Sequence, residues 1–154
     1  MGLDMYLYKK TWVNNADFYD PEHRAKIMMT KGGVEYDTSK IRYIVEEAGY
    51  WRKANAIHKW FVYNVQKGED DCREYPVSYE KLQELKSLCE AVLNDLQTGD
   101  TKLAESELPT QSGFFFGDTS YDDWYKQDLS NTISIIDSIP EDDKWCSFTY
   151  YSSW

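Results

Sequence analysis

The chain has 154 residues, an aromatic content of 16% and a formal net charge of −10, with 17 basic and 27 acidic side chains. This length fits one domain with a real core, and so acidic a chain lacks the basic surface that direct nucleic-acid binding requires. No apolar run approaches the roughly 18 residues of a membrane span. The three cysteines, with no CxxC spacing, predict reduced thiols in a cytosolic protein.

The first predicted element is a strand that begins almost at the first residue. In MGLDMYLY the apolar residues Leu3, Met5 and Leu7 alternate with Asp4 and two tyrosines. A period of two is typical of a half-buried strand. After the polar connection NNADFYDPEHR, the segments AKIMMT and VEY flank two glycines and predict a hairpin.

Residues 39–66 fit two interpretations. A single helix would keep a plausible apolar stripe over the whole segment. However, IRYIVEEAGYW is rich in β-branched and aromatic residues, and Gly49 is unfavourable inside a helix. We therefore predict a strand to about Tyr50 and then a helix over about Asn55–Gln66, ended by Gly68.

The second half of the chain predicts two further helices. SYEKLQELKSLCEAVLNDLQ carries one apolar stripe, with Ser78 as its N-cap. SYDDWYKQDLSNTISIIDSI is predicted to begin with a capping box of Ser120 and Asp123, and to bury Trp124 with the other apolar residues of one face. The stretch between these helices, TGDTKLAESELPTQSG, is expected to be an exposed loop.

Short strands complete the prediction. CREYPV fits an edge strand because Pro76 cannot donate to a neighbour, and KWCSFTYYSSW ends the chain as a strand. Together these elements predict one α+β domain over residues 1–154, with a small, mainly antiparallel sheet packed with about three helices.

One segment, YWRKANAIHKWF, reverses the charge of this acidic chain. Arg52 and Lys53 lie just before the predicted helix, whose N-terminus disfavours cations and offers free N–H groups to anions. A negative group is therefore expected beside them. It is either a phosphate-bearing ligand or an internal carboxylate of Glu46, Glu47 or the run 69–71.

The predicted site for a small anionic ligand combines basic side chains with aromatic walls. His58 would give it a directed hydrogen bond, although a satisfied structural histidine is the more common role of such a residue. Phe115, from GFFFG, would be either a stacking wall or part of the core. The full predicted set is Tyr50, Trp51, Arg52, Lys53, His58, Trp60 and Phe115.

No catalytic residue, metal or cofactor is predicted. Two histidines without a cysteine cluster do not make a zinc site. The acid pairs Asp122-Asp123 and Asp142-Asp143 are explained by helix capping and solvation rather than by a metal. No nucleophile can be paired with a matched base, so an enzyme that processes a nucleotide is the weakest of the functional hypotheses.

The segments MGLDMYL, YWRKANAIHKWF, GFFFG and YDDWY, in this order, resemble a group of small proteins encoded by bacteriophages and prophages. The resemblance implies the bacterial cytoplasm during infection or lysogeny and carries over no catalytic residue. Two functions fit it. In the first, the protein would capture a small anionic molecule such as a nucleotide signal of host defence. In the second, its acidic face would imitate nucleic acid and block a basic host protein.

Overall fold

The structure is a computed structural model that describes residues 2–13, 22, 24–140 and 145–154. Within these residues it contains a four-stranded antiparallel sheet, a two-stranded hairpin and four helices, so the predicted α+β class is confirmed. The elements are, in chain order, β1 Asp4–Trp12, β2 Thr30–Lys31, β3 Val34–Glu35, β4 Tyr43–Arg52, α1 Asn55–Asn64, β5 Tyr75–Val77, α2 Tyr79–Gln97, α3 Lys102–Glu107, α4 Asp123–Asp137 and β6 Cys146–Ser153. The predicted connection over residues 14–24 lies almost wholly outside the described residues, and the acid pair Asp142-Asp143 lies entirely outside them.

The sheet has the strand order β4-β1-β6-β5, and its neighbouring strands are all antiparallel. The predicted first strand is confirmed, because Leu3, Met5 and Leu7 are completely buried under the helices. On the opposite face, Tyr6 and Tyr8 stack on each other and are only half-buried. The short strand β5 lies at the sheet edge, as its proline predicted.

The segment from residue 43 to residue 64 is a strand followed by a helix, so the prediction of strand plus helix is confirmed and a continuous helix is excluded. The register between β1 and β4 shifts once, so that Leu7 pairs with Gly49, Tyr8 pairs with Glu47, and Ala48 is a bulge. At Gly49 the strand approaches α4 so closely that a Cβ atom there would lie 2.5 Å from Cγ2 of Ile135.

Three details of the helices differ from the sequence prediction. The predicted loop contains the short helix α3, which buries Ala104 and is followed by the fully buried Leu108. The N-cap of α4 is Asp122 rather than Ser120, since its carboxylate accepts the backbone N–H groups of the first turn. Trp124 is 77% exposed, so its predicted burial is wrong.

The helices and the sheet share one apolar core. The Trp51 indole lies inside it and donates from Nε1 to Oγ1 of Thr132 on α4 over 2.9 Å. The rings of Phe61 on α1 and Tyr150 on β6 stack with centroids 3.9 Å apart. Among the described residues, none of the helices has both the length and the apolar character that crossing a membrane requires.

We predict that Gly49→Ala lowers the free energy of unfolding by about 1–3 kcal/mol, because the added methyl group overpacks the contact between β4 and α4. Urea denaturation measures the loss. The double variant Gly49→Ala/Ile135→Ala should lose less free energy of unfolding than the two single variants lose together, since it removes the side chain with which the new methyl group clashes. Strict additivity would show that this close contact is not the cause.

Candidate functional site

A cleft of about 370 Å³ opens where β4 turns into α1 and meets the first turns of α4. That volume is within the range of small-molecule sites. The turn supplies two cations, the loop before α4 supplies small and polar residues, and α4 supplies carboxylates and rings. The lining residues are Arg52, Lys53, Asn55, Ala56, Thr110, Gly117, Asp118, Ser120, Asp122, Trp124, Tyr125 and Asp128.

The side chain of Asn55 holds one wall of the cleft in place. Its Nδ2 donates to the carbonyl oxygens of Phe116 and Asp118 over 3.0 and 2.8 Å, and its Oδ1 accepts the N–H of Gln111 over 2.9 Å. Asn55 is 4% exposed, so water cannot replace these bonds without opening the structure. The first residue of α1 therefore fixes the path of the loop over residues 111–118.

Lys53 adopts a left-handed backbone conformation with φ of 58°. This conformation is uncommon for a residue with a side chain. It is held by two hydrogen bonds, from Lys53 N to Leu3 O over 2.7 Å and from Asn55 N to Lys53 O over 2.8 Å. The side chain then passes two glycines, because a Cβ at Gly117 would lie 3.2 Å from Lys53 Cβ and one at Gly2 would lie 3.4 Å from Lys53 Cε.

None of the internal carboxylates that the sequence suggested as partners forms an ion pair with Arg52 or Lys53 in the described residues. Glu69 and Asp71 pair with Arg73, and Asp70 pairs with His58. Glu46 and Glu47 lie opposite Lys9 and Tyr8 in the β-ladder. In the part of the chain that the structure describes, neither Arg52 nor Lys53 forms an ion pair.

Asp4 lies directly opposite Arg52 in the register of β1 and β4, which makes it another candidate partner. Its carboxylate instead accepts a hydrogen bond from the hydroxyl of Tyr50. This bond raises the pKa of Tyr50, while the charge of Arg52 acts in the opposite direction. Arg52 is thus close to the Asp4 carboxylate in the sheet but forms no ion pair with it.

Three carboxylates share the cleft with these cations. Asp118 accepts hydrogen bonds from Thr119 and Ser120, which lower its pKa, and Asp122 caps α4. Asp128 differs, because its half-buried carboxylate has no hydrogen-bond or ion-pair partner among the described residues. Burial, with a smaller contribution from Asp122, raises the pKa of Asp128 to about 6.

The structure brings only part of the predicted site together. Arg52 and Lys53 line the cleft, but Trp51 is 2% exposed and points into the core. Trp60 is buried beside a separate depression next to α3. Tyr50, which bonds Asp4, and Phe115, whose ring packs on Phe114, are not among the residues that line the cleft. The aromatic lining comes from α4 instead.

His58 is completely buried and fully engaged. Its Nε2 lies 3.0 Å from Oδ1 of Asp70, and its Nδ1 lies 2.8 Å from the hydroxyl of Tyr150. A proton on Nε2 facing the carboxylate leaves Nδ1 to accept the hydroxyl proton, so both nitrogens are satisfied. Burial lowers the pKa of His58, with Asp70 acting against it. This geometry fits the structural reading of His58 and separates it from the cleft.

Sequence reasoning missed Asn55, Trp124 and Asp128 as residues of the site. Asn55 was interpreted only as a helix start, and Trp124 as part of the core. Asp128 lies beside the buried Leu129 at the margin of the apolar stripe of α4, and a charge in that position was the available signal. Among the described residues, no group of three or more metal-binding side chains is placed to hold a metal ion.

We predict that Asn55→Ala lowers the free energy of unfolding by about 2–4 kcal/mol, because it leaves two carbonyl groups and one N–H unsatisfied in a buried position. Denaturant unfolding checks this value. Asn64→Ala is the matched control, since Asn64 lies at the exposed end of the same helix and bonds only the Trp60 carbonyl. Equal losses in the two variants would contradict the role assigned to Asn55.

We predict that Asp128→Asn raises the free energy of unfolding near pH 7 by about 1 kcal/mol, after allowance for partial exposure. The raised folded-state pKa means that the protonated form of Asp128 favours folding at low pH, and that this benefit is lost as the pH rises through about 6. The gain from Asn should therefore vanish near pH 4, where Asp128 is protonated in the folded protein.

Urea denaturation at both pH values tests this dependence on Asp128. Asp123→Asn is the control, because the Asp123 carboxylate is 98% exposed and its replacement should give no gain near neutral pH. A pH-independent difference between Asp128→Asn and wild type would contradict the prediction.

No protein-family model, no curated protein and no solved structure matches the chain. The geometry and charge of the cleft are therefore the basis on which a function is assigned.

Proposed function

We propose that this is a non-enzymatic, phage-type protein that binds a small anionic, nucleotide-like ligand in the cleft between the β4–α1 turn and α4. The observation that carries the proposal is the pair Arg52 and Lys53, which line the cleft without an ion-pair partner among the described residues. Two such cations attract a phosphate or carboxylate group, and a guanidinium binds its oxygens in a forked geometry.

The backbone of Lys53 supports this proposal independently. A left-handed lysine costs about 1 kcal/mol relative to glycine, so the fold carries strain at this position. The Lys53 side chain also passes close to Gly117, which has φ of 89° and where a Cβ would lie 3.2 Å from Lys53 Cβ, so this neighbouring position favours glycine. Lys67 has the same φ outside the cleft, whereas at Lys53 the strained backbone lies in the lining, where it sets the direction of a cationic side chain.

Trp124 provides the second half of a nucleotide site. It lines the cleft and is 77% exposed, so its indole face is available to a flat ring. Stacking of a base on an aromatic side chain is worth about 1–3 kcal/mol. In this proposal Trp124 takes the role of the aromatic wall that the sequence had assigned to Tyr50, Trp51, Trp60 and Phe115.

The resemblance to phage and prophage proteins gives this binding a biological setting. A protein made during infection that sequesters a nucleotide signal would blunt a host defence without any chemistry of its own. The bacterial cytoplasm is the compartment in which such a ligand would be met.

The alternative is an acidic mimic that blocks a basic host protein through its acidic face, for which Asp70-Asp71 and Asp142-Asp143 are candidate contact acids. Asp70 is bonded to His58 and Trp154, while Asp71 is bonded to Arg73 and Tyr75. The first acid pair therefore has internal partners, and the second lies outside the described residues. The cleft is the better supported of the two interaction sites.

A thermal-shift screen with nucleotides, cyclic dinucleotides and ADP-ribose derivatives tests the proposal, with calorimetry on each compound that raises the melting temperature. Native mass spectrometry of freshly purified protein shows any ligand carried from the cell. No shift with any compound, together with ligand-free protein, would refute nucleotide-like binding.

We predict that Arg52→Ala weakens the affinity for an anionic ligand by about tenfold to a hundredfold, because one charge-assisted hydrogen bond is worth about 1.5–3 kcal/mol. The Arg52 side chain is exposed, so the melting temperature of the free protein should change little. Lys31→Ala, at an exposed lysine of the β2–β3 hairpin, is the control and should leave the affinity unchanged. Equal affinities of the Arg52 and Lys31 variants would contradict the assignment.

A further inference from the structure

Asp128 is the unusual carboxylate of the cleft. It is half-buried, lines the cleft from α4, and has no described partner for either oxygen. Asp118 and Asp122 instead accept backbone and hydroxyl hydrogen bonds within the protein. A partly buried carboxylate without donors is costly, and a bound molecule that brings N–H donors to it removes that cost.

The positions of the other charged and aromatic side chains of the cleft restrict which molecule can donate hydrogen bonds to Asp128. Arg52 and Lys53 come from the β4–α1 turn, whereas Asp128 and Trp124 come from α4. A ligand that satisfies all four carries an anionic group, a flat ring and donors in the plane of that ring. A nucleotide has this arrangement, since its phosphate and the edge of its base lie at opposite ends.

We propose that the cleft selects a nucleotide whose base presents two neighbouring N–H donors, as guanine does, and that Asp128 is the acceptor that reads them. This inference rests on the proposed function. The two oxygens of a carboxylate accept a pair of parallel N–H bonds, as they do from arginine. The N1–H and N2–H groups of guanine form such a pair. Adenine has an unprotonated N1 beside its amino group, and the lone pair of that nitrogen would face the carboxylate and be repelled by it.

The test is calorimetry of the full chain with guanosine, inosine, adenosine and xanthosine monophosphates near neutral pH. Inosine monophosphate differs from the guanosine compound by the loss of the 2-amino group alone. Wild type should bind guanosine monophosphate about tenfold or more tightly than either the inosine or the adenosine compound, since a donor to a charged acceptor is lost or replaced.

Asp128→Asn provides the matched variant, because its amide keeps one acceptor and gains one donor. It should bind guanosine monophosphate about tenfold to a hundredfold more weakly and shift its preference toward xanthosine monophosphate, which has a carbonyl oxygen in place of the 2-amino group. Loss of folding does not explain such a change, since the substitution is expected to stabilise the free protein.

The outcomes separate this inference from the proposed function. If the nucleotides bind in an Arg52-dependent way, but guanosine and adenosine monophosphates bind equally and Asp128→Asn changes neither, guanine selection is wrong and the anion site stands. If no nucleotide binds to wild type, both are overturned. A guanosine preference that is lost in Asp128→Asn and replaced by a xanthosine preference supports both.

Discussion

The arrangement of the cleft depends on the hydrogen bonds of one buried side chain, Asn55. It is the first residue of α1, and it ties the backbone at Gln111, Phe116 and Asp118 to the end of β4. These bonds cross more than fifty positions of sequence and connect the sheet to the loop that leads into α4. Because the amide uses both of its N–H donors and its oxygen, neither aspartate nor leucine could replace it without leaving buried polar groups unpaired. The loop that forms one wall of the cleft is therefore tied to the packing of the domain through Asn55.

Around this cleft the protein keeps two local arrangements that lower its folding stability. Lys53 is held in a left-handed conformation, and Asp128 is held half-buried without a donor. Each is tolerated because the surrounding structure determines it, through the Leu3 carbonyl in one case and the packing of α4 in the other. The two cations and three carboxylates that line the cleft form no ion pair with one another among the described residues. A ligand that is negative at one end and rich in donors at the other would relieve both costs at once.

Much of the fold was predictable, because alternation in β1 and the apolar stripes of α1 and α2 state directly which faces are buried. The short helix α3 was not, since Gly99, Asp100 and Pro109 gave turn signals that outweighed two apolar residues. Arg52 and Lys53 were found as a local charge reversal, but their aromatic neighbours were misassigned. Strand alternation already places Trp51 on the face opposite Arg52, so its burial could have been deduced. Asp128 is distant in sequence and reaches the cleft only through the packing of α4 against β4. Its charge at the margin of an apolar stripe marked it as unusual but could not place it beside Arg52.

The most direct measurement of the central claim is a two-dimensional amide NMR titration of the labelled protein with guanosine monophosphate. The account predicts that the perturbed amides cluster at residues 52–56 and 117–128, together with the indole N–H of Trp124, and that the indole signals of Trp51 and Trp60 move little. Saturable perturbations centred instead on Trp60, or on Tyr6 and Tyr8 on the face of β1 away from the helices, would contradict the placement of the site. So would the absence of any perturbation at millimolar nucleotide.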